Sequence, residues 1–321
     1  PAPLPNPLPQ PLVIFLGDRG PTSISSKFKG GWEGSLRGGR GACGPPVLPS
    51  KNFCHNLKLY FFMPDILKST VKPFRLYLKA PGEKRRPPRG ADAVVHLGKP
   101  GGSGFCLHHN FQNFWSLPEG KKLPVQGFLL LALGVWAADK LVPRSPQPDA
   151  WTRNLVLEVP ATLEWAGLAP RLEPLLNFLT GDTWTIQPRE SLMDIKFSRS
   201  WTHDWRPTAV ALFSGGLDSL GGAIDLLEQG QRLVLVSHYD YGQLAATQQT
   251  LAAALAEHYG PDRLHHLALR VQLEAPELTL RSRSLLYLAL GLTAVTAFSG
   301  DLPLFIPENG WISLNPPLTL N

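Results

Sequence analysis

Cysteine is scarce in this sequence and is confined to its first third. The chain of 321 residues holds three cysteines, Cys43, Cys54 and Cys106. Such a small and odd set argues against a disulfide framework and fits a reducing compartment, so we expect a cytoplasmic protein. No Cys-x-x-Cys or His-x-x-x-His spacing occurs, so a structural zinc site is not expected.

Three further patterns are missing. No apolar run approaches the ~18 residues that a membrane-spanning helix needs, so we expect no membrane partner. The N-terminal segment lacks the charged and then apolar pattern of a secretory signal, so we expect no secretion. The motif Gly-x-x-x-x-Gly-Lys-Ser/Thr is absent, which excludes a Walker-type phosphate cradle.

Charge is present but unevenly distributed. Residues 1–122 carry 18 basic and 6 acidic side chains, whereas residues 123–321 carry 13 basic and 19 acidic ones. The basic N-terminal part, residues 1–122, could contact nucleic acid or an acidic partner. We favour the alternative, a solvated extension, so nucleic acid is not a favoured partner.

The composition divides the chain into three parts. The first 52 residues hold 10 prolines and 9 glycines, which predicts that residues 1–62 form a disordered extension or a region upstream of the true start. A proline-rich ligand for a partner is the alternative. Residues 63–206 are predicted to form an α+β domain. Residues 207–321 are predicted to form an α/β domain that is incomplete at its C-terminal end.

The middle part has five predicted strands and two predicted helices. The strands are KPFRLYLKA, ADAVVHL, GFCLHH, TRNLVLEVP and TWTIQP, and the helices are VQGFLLLALGVWAADKL and PRLEPLLNFLTGD. Gly181 is predicted to end the second helix in a left-handed conformation. The tryptophans of this part are expected to be core or packing residues rather than a base-stacking platform. They are Trp115, Trp136, Trp151, Trp165 and Trp184.

The last part alternates strands with helices. Strands are predicted at 208–214, 232–238, 263–271 and 302–308, and helices at 217–229, 244–259 and 281–298. This alternation is typical of a parallel sheet with helices on both faces. Ligands of such sheets bind at the carboxyl ends of the strands.

The segment FSGGLDS follows the first of these strands. Gly215 and Gly216 allow the backbone to approach a ligand closely, and the next helix begins near Leu217 with free N–H groups that favour an anion. Ser214 and Ser219 add hydroxyl donors. Asp218 would repel bare phosphate, so it is predicted to be a magnesium ligand. The alternative is a plain strand-to-helix turn.

FSGGLDS resembles the signature of the PP-loop ATP pyrophosphatases, which bind ATP, adenylate a substrate oxygen and release pyrophosphate. SHYDYGQ and RSRSLLYLALG resemble segments of the 7-cyano-7-deazaguanine synthase family of the queuosine pathway. ENGWISLNPPL resembles a divergent, Qat-type branch found in anti-phage defence operons. The resemblance is strong over 208–318 and weaker over 63–206. The queuosine enzymes also carry a four-cysteine zinc site, which this chain lacks because no cysteine follows Cys106.

The resemblance implies roles for specific residues. The ATP-binding residues would be Ser214, Gly215, Gly216, Leu217, Ser219 and His238. Catalysis would depend on Asp218, which also holds Mg²⁺, and on Arg281 and Arg283. The substrate-binding residues would be Asp240, Tyr241, Gln243, Glu308 and Asn309. Several of these roles have simpler alternatives. His238 would be an ordinary strand-end histidine, and Tyr241 would pack within a loop. Arg281 and Arg283 would form a solvated helix start, and Glu308 and Asn309 would belong to an Asn-Gly turn.

The implied activity is that of an ATP-dependent C–N ligase. A carboxylate such as that of 7-carboxy-7-deazaguanine would be adenylated, and an amide, a nitrile or a conjugate with another amine would follow, in anti-phage defence with operon-encoded partners. Two alternatives remain open. One is a non-catalytic nucleotide-binding subunit of a defence complex, and the other is a PP-loop enzyme that modifies tRNA or DNA.

Overall fold

The computed structural model describes residues 72–98, 103–161, 163–191, 195–199, 205–298 and 302–308. The predicted extension 1–62, the cysteines Cys43 and Cys54, and Asn309 lie outside these residues. All the described residues belong to one compact unit.

The described residues form one nine-stranded sheet in the order β5-β4-β1-β2-β3-β8-β7-β6-β9. The strands of the first block are β1 (Phe74–Lys79), β2 (Ala93–Leu97), β3 (Phe105–His109), β4 (Asn154–Ala161) and β5 (Thr183–Glu190). The strands of the second block are β6 (Ala209–Leu212), β7 (Leu233–Tyr239), β8 (Leu264–Gln272) and β9 (Leu304–Phe305). Pairing is parallel within each block, and β3 meets β8 in an antiparallel pair. The predicted α/β class is confirmed, and the two predicted domains share this sheet.

Five helices cover the sheet: α1 (Glu119–Leu141), α2 (Leu163–Thr180), α3 (Leu217–Glu228), α4 (Gly242–Tyr259) and α5 (Arg283–Ala297). In the second block, side chains alternate between two apolar layers. Phe213 and Leu235 pack with α3 and α4 on one face, and Leu212 and Val236 pack with α1 and α5 on the other. Because both faces are covered, the strands appear in the sequence as nearly continuous apolar runs.

The helix boundaries differ from the sequence predictions mainly in the first block. Helix α2 begins at Leu163, seven residues before the predicted start, and includes Pro170 and Pro174. A proline removes a backbone donor and normally ends a helix, which is why the earlier start was not predicted. Gly181 ends this helix at a φ of 72°, so the predicted left-handed conformation is confirmed.

The five tryptophans are core or packing residues, as predicted. Trp115, Trp136 and Trp184 are buried, and Trp165 stacks on Phe128 at the edge of the core. Trp151 is 42% exposed and carries the guanidinium of Arg281 on its ring, 3.8 Å from the centroid. Trp151 is therefore a surface packing residue rather than a core residue.

A buried ion cluster joins the first block to α5. The Asp139 carboxylate accepts hydrogen bonds from Arg153 at 2.6 Å and Arg144 at 3.2 Å, and Asp182 accepts from the same two arginines. The second oxygen of Asp139 accepts from the backbone and hydroxyl of Ser282, immediately before α5. These contacts hold the pKa of Asp139 below its usual range, since they outweigh the desolvation that would raise it.

We expect Asp139→Ala to lower the free energy of unfolding by about 3–5 kcal/mol, because it removes one of the two carboxylates that balance the buried guanidinium charges of Arg144 and Arg153. Urea denaturation at pH 7 measures the change. Asp225→Asn is the matched control, since Asp225 is exposed on α3, and it should change the value by less than about 0.5 kcal/mol. Equal stabilities of the Asp139 and Asp225 variants would contradict the role given to this cluster.

Candidate active site

The FSGGLDS turn lies at the carboxyl end of β6, as predicted. Gly215 has a φ of 85°, a left-handed conformation that favours glycine. Gly216 then takes the N-cap position of α3 in an extended conformation, without a side-chain cap hydrogen bond. Ser214 and Gly216 are exposed. The start of this helix is therefore open to a ligand.

Two serine hydroxyls organise the turn. Ser219 Oγ accepts the Gly215 N–H at 3.2 Å and donates to the Gly216 carbonyl at 2.9 Å. Ser214 Oγ accepts the Gly216 N–H at 3.3 Å and donates to Ser219 Oγ at 3.1 Å. An incoming anion would compete with these hydroxyls for the two glycine N–H groups. The two backbone donors thus bond to neighbouring hydroxyls, 3.1 Å apart, at the start of α3.

Two carboxylates lie close to this turn. Asp218 is half-buried in the first turn of α3, and Glu308 follows β9. Desolvation and the nearby charge of Asp218 raise the pKa of Glu308. Two hard oxygen donors beside an anion-binding turn fit the ligand preference of Mg²⁺. Within the described ranges no group of three or more His, Cys, Asp and Glu side chains is gathered for a metal.

A cavity of about 330 Å³ opens beside the turn. Ser214, Ser219 and Glu308 contribute polar groups to its lining, and most of the other lining side chains are apolar. One wall comes from Leu175 and Leu179 of α2. The other lining residues are Leu212, Ser284, Leu285, Tyr287, Leu288, Ile306 and Pro307. Helix α2 of the first block therefore completes a cavity that also contains residues of the FSGGLDS turn in the second block.

Arg283 and Arg281 occupy different environments. Arg283 lies beside Tyr287, with its guanidinium carbon 5.4 Å from the ring centroid, and Tyr287 lines the cavity. Arg281 donates to the Thr180 carbonyl at 2.8 Å and stacks on Trp151. The contacts of Arg281 in this structure are thus with the end of α2, and a phosphate contact stays a prediction.

His238 is buried rather than presented to the cavity. Its side chain is 1% exposed, with Nε2 3.2 Å from the Val271 carbonyl and the ring edge-on to Trp136 and Tyr287. Burial lowers the pKa of His238 to about 4. The side chain is therefore packed at the end of β7, and a contact with adenine stays a prediction. Its backbone carbonyl accepts the Tyr287 hydroxyl, 3.0 Å away, and in this way it supports a cavity residue.

The residues predicted to bind a substrate lie on two segments. Asp240 forms an ion pair with Lys140 of α1 at 3.1 Å, so its charge is already balanced. Tyr241, at the N-cap of α4, is 57% exposed, and Gln243 is exposed in the first turn of that helix. Glu308 lines the cavity. The cavity lining thus includes Glu308 and none of the other three among the described residues.

Sequence reasoning missed Gln248 and the leucines of α2. Gln248 is completely buried and bonds to the carbonyls of Ser214 and His238. A signal for it existed, because it lies on the same helical stripe as Leu244, Leu251 and Leu255. A polar residue on an apolar stripe needs a buried partner. For Leu175 and Leu179 the chain offers no such local signal.

Two curated proteins are similar to part of this chain. Both are named 7-cyano-7-deazaguanine synthase. The one from Parasynechococcus marenigrum is 48% identical over 61 residues, which is 19% of this chain and 26% of the relative. The one from Synechococcus sp. is 42% identical over 64 residues, which is 20% of this chain and 28% of the relative. The chain therefore spans about a quarter of the length of the curated relatives it matches.

No protein-family profile matches the chain, and no solved structure matches it. Across the described residues, no helix has both the length and the apolar character needed to cross a membrane.

The buried histidines give a pH prediction. Burial lowers the pKa of His109, His238, His265 and His266 to about 4 each, against about 6.5 in the unfolded chain. Between those values the unfolded state binds more protons, so the free energy of unfolding should fall as the pH is lowered from about 6.5 towards about 4. Urea denaturation across this range tests it, and His238→Gln should reduce the slope. An imidazole of His238 that titrates above pH 6 by NMR would contradict the assignment.

Proposed function

We propose that this protein is an ATP-dependent enzyme that activates the carboxylate of a 7-deazaguanine-type base and joins it to an amine. The observation that carries the proposal is the open, uncapped start of α3 at Ser214–Ser219, beside a cavity whose lining is mostly apolar. The partial similarity to two 7-cyano-7-deazaguanine synthases supports it. A role in anti-phage defence, with operon-encoded partners and in the cytoplasm, belongs to the same proposal.

The proposed reaction has two steps. An oxygen of the substrate carboxylate attacks the α-phosphorus of ATP, the bond to the β-phosphate oxygen breaks, and pyrophosphate leaves. The resulting acyl-adenylate is attacked by an amine, which loses a proton as AMP departs and an amide forms. When the amine is ammonia, a second ATP can adenylate the amide oxygen. Loss of this oxygen with AMP, and of a proton, then gives a nitrile.

The turn supplies the donors for the phosphate chain in this scheme. The backbone N–H groups of Gly215 and Gly216 point to the serine hydroxyls that a phosphate oxygen would replace, and the first N–H groups of α3 add the positive end of the helix dipole. Ser214 and Ser219 are able to donate to the same oxygens. Such preorganised donors stabilise the charge that develops on the leaving pyrophosphate.

The carboxylates beside the turn fit a role in metal binding. Asp218 and Glu308 would hold Mg²⁺, which when bound supplies the positive charge that stabilises the departing pyrophosphate. The raised pKa of Glu308 reflects desolvation and the neighbouring Asp218 charge, a cost that a cation between them would offset. Arg283, which lies next to the cavity residue Tyr287, would assist at the α-phosphate.

The apolar part of the cavity fits a planar ring. Leu175 and Leu179 of α2 and Leu285 and Leu288 of α5 offer apolar contact to ring faces. A mostly apolar pocket with a few convergent polar groups is the usual form of a small-molecule site. A carboxylated base in this cavity would have its carboxylate near the turn.

A non-catalytic nucleotide-binding subunit is the second candidate. The observations that favour it are the engagement of Arg281 with Thr180 and the ion pair of Asp240 with Lys140, which occupy two residues expected to act on the ligand. In that case ATP would bind at the turn without turnover. An assay of pyrophosphate release distinguishes the two candidates, because only the enzyme releases pyrophosphate.

We expect pyrophosphate release from ATP and Mg²⁺ to depend on 7-carboxy-7-deazaguanine, and Asp218→Asn to lower kcat at least about a hundredfold, since it removes a charge that acts on the leaving group. Continuous pyrophosphate detection measures this. Asp225→Asn, later on the same helix and exposed, is the control and should keep the wild-type rate. Normal turnover by Asp218→Asn would disprove the metal role. ATP binding without release in the wild type would favour the second candidate.

We further expect Leu175→Ser to raise the KM for the base roughly tenfold, because it removes apolar contact from the cavity wall. Leu168→Ser is the matched control: Leu168 is 39% exposed on the same helix, and it is absent from the cavity lining, to which Leu175 belongs. Steady-state kinetics with varied base concentration measure both variants. Equal KM values in the two variants would remove α2 from the substrate site.

A further inference from the structure

Gln248 packs against the FSGGLDS turn from inside the fold. It belongs to α4 and is completely buried. Its amide nitrogen donates to two carbonyl oxygens, that of Ser214 at 3.1 Å and that of His238 at 3.0 Å. One side chain thus connects the turn after β6 to the end of β7, which is the neighbouring strand.

The fit between Gln248 and the turn depends on Gly215. A Cβ atom at Gly215 would lie 3.1 Å from Gln248 Cγ, so the glutamine stem occupies the space that a side chain at this position would need. Gly215 is also the residue with the left-handed φ of 85°. The glycine therefore serves two purposes here: it allows the backbone to turn, and it allows Gln248 to support the turn from below.

The hydrogen bonding of Gln248 is costly to maintain. Both amide protons are used, whereas Oε1 has no hydrogen-bond partner among the described residues. A buried acceptor without a donor costs about 1–3 kcal/mol. A leucine of similar size would avoid that cost. The two donated bonds therefore need a role that packing alone does not supply.

We propose that Gln248 is a positioning residue, which holds the Ser214 carbonyl so that the N–H groups of Gly215 and Gly216 converge on the phosphate site. The carbonyl of Ser214 and the N–H of Gly215 belong to one planar peptide group, so fixing the oxygen fixes the direction of the hydrogen. Gln248 touches no ligand in this scheme and acts through the backbone. The inference rests on the proposed binding of ATP at this turn.

The test compares Gln248→Leu with Gln249→Leu. Gln249 is the next residue of α4 and is exposed, so it controls for a leucine at this point of the helix. Two readouts are used on the full chain well below its melting temperature. One is the Kd for ATP with Mg²⁺ by calorimetry. The other is amide hydrogen exchange without ligand, in peptides that cover 213–220 and, as a reference, 154–161 in β4.

We expect Gln248→Leu to raise the Kd about tenfold, equivalent to about 1.4 kcal/mol, and to speed exchange in 213–220 at least about tenfold without changing 154–161. Gln249→Leu should match the wild type in both readouts. Gln248→Glu, which keeps the size and loses the amide donors, should be at least as defective as the leucine variant. Unchanged exchange at 213–220 would overturn the inference. An equal change in both peptides would also overturn it, because a residue with a general structural role would loosen both.

The exchange readout separates this inference from the proposed function. If the wild type bound no ATP, the proposed function would fail. A local increase of exchange at 213–220 would still support the positioning of the turn by Gln248, and inorganic pyrophosphate with Mg²⁺ would then replace ATP as the probe. If the wild type binds ATP and Gln248→Leu binds it equally well, the inference fails and the proposed function stands.

Discussion

The candidate site depends on the buried charges around Asp139, because they fix the two helices that form its walls. At the end of α2, the Thr180 carbonyl accepts from both Arg144 and Arg281. At the start of α5, Ser282 donates to Asp139. The helix that carries Leu175 and the helix that carries Leu285 are thus fastened to the same cluster. Burying such charges is costly unless each is paired, and here each carboxylate has two arginine partners. The cluster therefore stabilises one spacing between the helices rather than simply adding to stability.

A second polar layer supports the turn from inside the sheet. Ser237 donates to the Phe213 carbonyl at 2.6 Å, and His266 Nε2 lies 2.9 Å from the Ser237 hydroxyl. Since that hydroxyl donates to Phe213, it must accept from His266, which places the histidine proton on Nε2. Burial lowers the pKa of His266 to about 4, so the ring stays neutral and the chain of hydrogen bonds keeps its direction near pH 7. With Gln248 on the next carbonyl, two successive peptide groups before Gly216 are fixed from below.

The parts of this molecule that could be predicted from its sequence are those with a local cause. The strand before Ser214, the left-handed glycine at 215 and the helix after it follow from short-range sterics and periodicity. The antiparallel pairing of β3 with β8 does not follow from local causes, because residues more than 150 positions apart meet there. The contribution of α2 to the cavity also lacks a local cause. Arg281 is a similar case, because its position before a helix fits a phosphate ligand as well as it fits the contact seen in this structure. Its partner Thr180 lies about 100 residues earlier, and nothing near Arg281 indicates that contact.

The charge of the surrounding chain shows why the geometry of the turn matters so much. Residues 123–321 carry more acidic than basic side chains, and Asp218 and Glu308 add negative charge at the site itself. Long-range attraction therefore gives an anion no help, and at physiological salt charges beyond about 8 Å are largely screened. The proposed site would therefore rely on donors within hydrogen-bond distance and on a cation that Asp218 and Glu308 would hold. Donors of this kind do not tolerate displacement, because a hydrogen bond weakens steeply with distance and angle. The hydrogen bonds from Ser237 and Gln248 to the two carbonyls before Gly215 hold the backbone of the turn in place, which is the rigidity that the proposed site needs.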